Sequence, residues 1–510
     1  MLHSSKEGYR YVASSAQLSQ GLASEGVIVP PVDVRTPPGG QYDVIVVGAG
    51  YAALTAARDS ALSGLSVLLL EARDRIGGRT WTSNVNGNLF EMGGTWIHHQ
   101  QGFVWRELVR YGIDRDLKVS PAPSFAAPAA DGKIVSHYKG KEYRMAAEDH
   151  GKFLDEALYA FCSVDGAGGS ALIPFAGQLD NVNADPALVK QIDQLSLGDR
   201  IRQVEATKQL SDRQLAFVIP LFLLCSGGNV ENSSLLEAIR WYRASNSTYQ
   251  GMVDLLMHYK IGKGQSHLAR CIFEEARSTG NLSFAFSSPV QSITDSQYGV
   301  KVETASGTYN ATKVICTVPL NVMHKIKFSP PLPPLRAEAC KIGHVNKGDK
   351  IHYELTDPQF RSWTGYSVPK GDEACLVNAF GEQTLKNGNV SVVAFSADAK
   401  DKHAPSLDSQ TIIKRLAALE PGVEDKFVSA VFTEWYRDPW ALGNWAMAPP
   451  DFLTRYQDAL QLPHGNVHFA SSDIAEGAWK SFIDGGCESG CKAAYMVKEE
   501  LRTGPKASRL

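Results

Sequence analysis

Apolar residues fall in short unbroken blocks in one part of the chain and at helical spacing in others. Tyr42 to Val47 is a β-branched run closed by glycine, the pattern of a parallel strand buried on both faces. Tyr51 to Ser63 carries alanine and leucine at helical spacing, and Leu65 to Leu70 is a second apolar strand. The three form a β-α-β unit within about 30 residues. Residues 150–260 show helical patterns, as in Arg202 to Leu224 and Ser233 to Tyr242. Residues 283–320 read as β-rich, with strands at Val290 to Thr294, Val300 to Thr304 and Val314 to Val318. Lys350 to Leu355 and Val390 to Ser396 predict further strands, and Phe482 to Leu501 predicts a closing helix. Before all this, residues 1–40 read as an irregular extension, because Pro30-Pro31, Pro37-Pro38 and Gly39-Gly40 interrupt any regular element. Pro330-Pro331-Leu332-Pro333-Pro334 reads as a linker.

The 510 residues exceed what one hydrophobic core organises, which predicts two closely packed domains. A formal net charge of −3 leaves no basic field for nucleic acid or an anionic membrane surface. The longest apolar run, Leu215 to Cys225, is interrupted by Pro220 and falls well short of the ~20 residues that span a bilayer, so no membrane insertion is expected. Met1 to Arg10 is polar and lacks the apolar core of a signal peptide. The eight cysteines form no C-x-x-C pair, which points to a reducing or neutral compartment. Adjacent His98 and His99 and isolated His344 lack metal-ligand spacing, so no metal is expected.

The first βα turn reads Gly48-Ala49-Gly50-Tyr51-Ala52-Ala53, a G-x-G-x-x-G/A pattern. Gly48 permits the tight turn, Gly50 lets backbone approach a pyrophosphate, and Ala53 is small enough for the helix to pack on the strand. The helix N-terminus offers N–H groups and a positive dipole to phosphates. Glu71 ends the second strand and is placed to accept hydrogen bonds from the adenosine ribose hydroxyls, which argues against a 2′-phosphate. This pattern alone does not separate NAD from FAD.

The residues that follow do separate them. Glu71-Ala72-Arg73-Asp74-Arg75-Ile76-Gly77-Gly78-Arg79-Thr80 resembles the E-A-x-x-R-x-G-G-R segment of the flavin amine oxidase family, and Glu91-Met92-Gly93-Gly94-Thr95-Trp96 is similar to that family's second glycine segment. The resemblance resumes at Lys263-Gly264-Gln265-Ser266, at Val314 to Leu320, at Phe469-Ala470-Ser471-Ser472-Asp473 and at Ser481 to Gly486. It covers the chain from about residue 42 to the end. Within the family the chain looks closest to soluble fungal monoamine oxidases, through Gly343-His344-Val345, Arg361 to Gly365 and the tail. The resemblance implies an α/β fold: a Rossmann-like FAD-binding domain of GR2 type (residues 41–115, 250–330 and 444–502) with an interleaved α+β substrate-binding domain on a mixed sheet (residues 116–249 and 331–443), then a tail, residues 503–510.

By that resemblance, Arg73, Gly78 and Arg79 contact the FAD diphosphate and flavin, with Ala72, Thr80, Gly93, Gly94, Thr95 and Trp96 along the cofactor. Val290 offers its backbone to adenine. Ser472 and Asp473 hold the ribityl or phosphate end. Ile483 heads a helix whose N-terminus faces flavin O2, and that dipole favours the negative charge of the reduced ring. The family places a lysine near flavin N5. Lys350 is the candidate and Lys347 its rival, Lys350 being favoured because strand-forming residues follow it directly. Trp445 and Phe482 match the two aromatics that flank the substrate amine as a cage. No cysteine adjoins Trp445, so FAD is expected to bind non-covalently. Cys487 and Cys491, four apart, read as core or flavin-facing thiols. Between Asp473 and Phe482 the chain is one residue longer than its fungal relatives, and Glu476 puts a carboxylate near the flavin segment.

The implied reaction is oxidation of a small-molecule amine to an imine by hydride transfer to flavin N5, with O2 reduced to H2O2; the imine hydrolyses to an aldehyde or ketone. Thr95-Trp96-Ile97-His98 stands where L-amino-acid oxidases carry a carboxylate-clamping arginine, which disfavours an amino-acid substrate. The alternatives are a flavin oxidoreductase of secondary metabolism acting on a less simple amine, and a flavin-bound protein without oxidase activity. Ser508-Arg509-Leu510 resembles the Ser-Lys-Leu address read by the peroxisomal import receptor, which predicts a peroxisomal enzyme, with cytoplasm as the alternative. Monomer and homodimer both stay open.

Overall fold

The computed structural model describes residues 2–120, 133–174, 184–368, 376–398 and 406–503. Two large sheets carry the architecture. The nucleotide sheet is centred on Tyr42–Val47, which pairs in parallel with Val67–Leu70 on one side and with Gly307–Cys316 on the other. Val67–Leu70 in turn pairs in parallel with Leu282–Ala285, and Val467–Phe469 adds to Gly307–Cys316. Val44, Ile45 and Val46 are fully buried, as expected for a strand covered on both faces. The dinucleotide helix, Tyr51–Leu62, packs between this sheet and the closing helix, Ile483–Thr503. That closeness depends on small residues: a Cβ on Gly490 would lie 2.1 Å from the Ala52 carbonyl oxygen.

The second sheet runs in the order Lys141–Ala146, Lys133–Tyr138, Trp363–Ser367, Leu376–Thr384, Val390–Ser396, Lys350–Leu355, Phe427–Thr433, Tyr9–Val12 and Gln17–Gln20. One pairing is parallel and the rest antiparallel, so it is the mixed sheet anticipated for the substrate domain. Helices Asp212–Ser226, Leu235–Ala244 and Tyr249–Leu256 cover the space between this sheet and the nucleotide turn.

Two sequence expectations are corrected here. Residues 1–40 are not an irregular extension. Tyr9–Val12 and Gln17–Gln20 form a hairpin on the edge of the second sheet, and Val32–Asp33 pairs with Leu282–Ala285 at the edge of the first. Tyr9 stacks on Phe432 at 5.3 Å, a partner more than 400 residues away that no local pattern could reveal. The helical pattern over Arg202 to Leu224 is two helices, Leu197–Ala206 and Asp212–Ser226. Lys208 takes a left-handed φ of 55° between them, and Ser211 and Gln214 form a capping box that starts the second.

The N-terminal segment also brings Glu7 between Arg73 and Arg75. Burial pushes the Glu7 carboxyl up, but the two guanidinium groups more than offset this and hold it down to about 2, against 4.5 for a free glutamate. Its stabilising charge is therefore fully present above pH 4.5 and is lost as pH falls toward about 2. Glu7→Gln is expected to lower unfolding free energy by about 3 kcal/mol near neutral pH, and to flatten the acid limb of stability over that window. Urea unfolding at a series of pH values reads both effects, and an unchanged acid limb contradicts the assignment.

Candidate active site

Two glycine segments meet back to back at the C-terminal end of the nucleotide sheet. Gly48 has φ +112°, and a Cβ there would lie 2.4 Å from Thr317 Oγ1. Gly78 has φ +61°, and its Cβ would lie 3.0 Å from Gly50 Cα. A third glycine segment is equally tight: a Cβ on Gly93 would sit 1.9 Å from the Arg79 carbonyl oxygen, and one on Gly94 2.5 Å from Thr80 Oγ1. A continuous cavity runs along these backbones. Its wall includes Gly48, Gly50, Tyr51, Ala52, Glu71, Ala72, Arg73, Gly78, Arg79, Thr80, Gly93, Gly94, Thr95, Trp96, Val290, Ser472 and Ile483, together with Trp445 and Phe482. Most of the residues named from sequence are thus brought to one surface.

Three are not. Ala53 is fully buried beneath the turn, consistent with its packing role. Asp473 lies behind Ser472, where one oxygen pairs with Arg79 at 2.6 Å and the other accepts the Leu320 N–H at 2.9 Å. It therefore positions Arg79 and does not itself reach the cavity. Lys350 stands behind Thr95, one layer from the wall.

Glu71 accepts hydrogen bonds from Ala49 N–H at 2.5 Å and Arg73 N–H at 2.8 Å, and burial raises its carboxyl above the usual range. Arg73 reaches the wall with its guanidinium already held by Asp438, at 2.7 and 2.9 Å, and by Glu7. Arg79 also donates to the Asn444 carbonyl at 2.6 Å, so one guanidinium joins the first glycine segment, the Trp445 loop and the Ser472 loop.

Lys350 opens its strand with the side chain 3% exposed as a residue. Its Nζ donates to Thr95 Oγ1 at 2.6 Å and to the Gly93 carbonyl at 3.1 Å, and sits 5.1 Å from the centroid of the Trp96 ring. Lys347 instead donates to the Leu442 carbonyl at 2.8 Å and turns away from the glycine segment. Beneath Lys350, Glu382 pairs with Lys260 at 2.8 Å and faces His352 Nδ1 at 3.2 Å. The other ring nitrogen of His352 lies 2.9 Å from the Glu91 carbonyl. Burial lowers the Lys350 ammonium to about 8, against the opposing pull of Glu382 and Glu91.

Trp445 donates its indole N–H to the Cys225 carbonyl at 2.6 Å. Phe482 lies 4.7 Å from the ring of Trp241 and 5.2 Å from that of Trp479, the latter edge-on. The two cage segments are tied together by Ser481, whose hydroxyl donates to the Ala446 carbonyl at 2.6 Å. Ser481 has φ +78°, a conformation a serine holds only where its surroundings impose it. Helix Leu235–Ala244 imposes it from below. Arg240 donates to the carbonyls of Ala478 (2.8 Å) and Lys480 (3.3 Å), and Glu237 pairs with both Arg240 and Lys480.

Sequence reasoning missed Trp241, Arg240 and Ser481. Arg240 and Trp241 adjoin on one helix far from Ser481 in sequence, and only the i, i+3 spacing of Glu237 and Arg240 hinted at an ion pair. The expectation for Glu476 is corrected: it is exposed and paired with Lys492, pointing away from the cavity. Cys487 is buried in the core and Cys491 is half-buried beside Arg106; neither lines the cavity. Among the described residues, no group of three or more His, Cys, Asp or Glu could hold a metal, and no helix is long and apolar enough to cross a membrane.

A glycine cradle that any Cβ would fill, a helix N-terminus with no side-chain cap at Gly50, and buried arginines fit a dinucleotide cofactor lying along the cavity. Fold and site together define a flavin-dependent amine oxidoreductase. Residues 52–497 match the model of the flavin containing amine oxidoreductases, and the chain belongs to that family. It is similar to the pseudooxynicotine dehydrogenase of a Pseudomonas species, 31% identical over 90% of this chain and 87% of that protein. It is also similar to the nicotine dehydrogenase of Pseudomonas putida, 28% identical over 96% of this chain and 97% of that one. The solved structure of cyclohexylamine oxidase from Brevibacterium oxydans shares the fold, with a TM-score of 0.72 at 20% identity, covering 91% of this chain and all of that one.

Proposed function

We propose that this enzyme oxidises an amine with an apolar body, using oxygen as the final acceptor, with Trp445, Phe482 and Lys350 as its principal working residues. The observation that carries the reading is the makeup of the far end of the cavity. Three helices supply its wall there with Leu221 and Leu224, Trp241, and Met252, Val253 and Leu256, none of them charged. An apolar body loses water against such a wall with gain, whereas a carboxylate or a second ammonium would be desolvated without a partner.

FAD bound along the glycine cradle supplies the two-electron acceptor. Everything else is done by the chain. Trp445 and Phe482 present ring faces to the amine, which suit its nitrogen and restrict its approach. Trp445 cannot swing, because its N–H is fixed to Cys225, and Phe482 is held by Trp241 and by the strained Ser481. Lys350 places a cation behind Thr95, where it favours negative charge arising at that end of the cavity.

A panel of aromatic and alicyclic amines, mixed without oxygen, is expected to bleach the flavin band, and admission of oxygen to release peroxide. Trp445→Ala should lower kcat/KM roughly tenfold to a hundredfold. Bleaching by no amine in the panel defeats the reading. Bleaching without peroxide on aeration leaves the amine chemistry and removes oxygen as the acceptor.

The tail Ser508-Arg509-Leu510, similar to a Ser-Lys-Leu address, supports a peroxisomal location. A fluorescent fusion at the N-terminus is expected to collect in peroxisomes and to disperse when those three residues are removed. Dispersal of the intact fusion contradicts the address.

A further inference from the structure

Helix Gln265–Ser278 carries His267 and Cys271 four residues apart, hence on one face. Cys271 Sγ lies 3.9 Å from His267 Nε2, within reach of a thiol, and His267 Nδ1 lies 3.0 Å from Glu25 Oε1. The three groups form a carboxylate–imidazole–thiol chain, in which the acid orients the ring and the ring meets the sulfur. Arg270, on the same helix, donates to the carbonyls of Glu25 and Val27 and so pins the segment that presents the carboxylate. The sulfur and then the carboxylate lift the imidazole to about 9, so the ring retains a proton beside the sulfur at neutral pH.

Among the described residues, access separates this thiol from five others. Cys162, Cys225, Cys316, Cys340 and Cys487 are buried, and burial pushes every one of their thiols up. Cys491 is half-buried and also raised by burial, with Arg106 at 3.8 Å and no imidazole. Cys271 is partly exposed, as are His267 and Glu25. A partly exposed sulfur beside a cationic partner is the environment in which cysteines react. Cys271 does not line the cofactor cavity.

We propose that Cys271 is a peroxide-reactive site, oxidised to a sulfenic acid with His267 as proton carrier and Glu25 as its orienting acid. Sγ bonds to one peroxide oxygen as the O–O bond breaks, and sulfur loses two electrons. The departing hydroxide takes the proton shared by Sγ and Nε2 and leaves as water, so thiol plus hydrogen peroxide gives sulfenic acid plus water.

The flavin-loaded enzyme is treated with equimolar hydrogen peroxide in the presence of dimedone, which traps sulfenic acids, and its peptides are mapped by mass spectrometry. Because the peroxide is added as a reagent, the result does not depend on amine oxidation. The adduct is expected at Cys271 at least about tenfold above any other cysteine. His267→Asn should lower it about tenfold and Glu25→Gln less, with flavin content and turnover unchanged. Labelling of wild-type protein first at Cys491, or at Cys375 outside the described residues, overturns the proposal without any variant. Equal labelling of Cys271 in wild type and in folded His267→Asn overturns it as well.

Discussion

Gly78→Val is expected to purify almost free of flavin, colourless where the wild type is yellow. Gly78 sits at φ +61°, where a side chain costs about 1–2 kcal/mol and a β-branched one more. Its new Cβ would also lie 3.0 Å from Gly50 Cα, a backbone atom of the facing turn that cannot step aside as a flexible side chain would. Overpacking of this kind adds about 1–3 kcal/mol. The two glycine segments must part, and the cradle they form parts with them. The sum predicts cofactor binding at least about thirtyfold weaker. The ratio of blue to ultraviolet absorbance, with a titration of added FAD, measures it. Gly102→Ala is the control, since a Cβ there meets nothing within 4 Å. Full flavin content in Gly78→Val would mean that the cofactor lies elsewhere.

Lys350→Met should leave flavin content intact and slow turnover with oxygen by about 10²–10³-fold, the usual cost of removing one preorganised electrostatic group. Methionine keeps the length and the contact with Trp96 and Phe395 but removes the charge. It also removes one donor each from the Gly93 carbonyl and the Thr95 hydroxyl, which stay bonded to one another at 2.9 Å. The pH dependence gives a separate reading. Burial lowers the ammonium to about 8, so wild-type turnover is expected to fall as pH rises through that value and the proton is lost. Glu382, Glu91 and Lys260 are the charged groups that set this limb. The limb should vanish in Lys350→Met, while Lys347→Met should retain both rate and limb. A loss in Lys347→Met instead would reverse the assignment.

Much of the cofactor half is legible in the sequence. The apolar run Tyr42–Val47, the glycine turn after it and the alanine-rich helix belong to one local unit, and each residue's reason lies within about 30 positions of the next. The strand at Lys350–Leu355 was equally readable, because strand-forming residues follow Lys350 directly. The N-terminal hairpin was not. Tyr-Arg-Tyr-Val is only four residues long, and its stability comes from Phe427–Thr433, which sequence order places at the far end of the chain.

The sequence by itself determined that a dinucleotide lies on the first turn, because glycine spacing, a strand-ending acid and small helix residues are properties of contiguous backbone; that it is FAD with amine chemistry came from the resemblance carried by Glu71 to Thr80 and Glu91 to Trp96. Only the tertiary structure decided which polar groups reach the cavity. It set Asp473 behind Arg79, committed Arg73 to Glu7 and Asp438, turned Glu476 out to Lys492, and built the support of Phe482 from Trp241, Arg240 and a strained Ser481. The physical reason is range. A turn's φ angles are chosen by its own residues, whereas a buried charge or a wedged ring is fixed by partners that meet only when distant segments pack together.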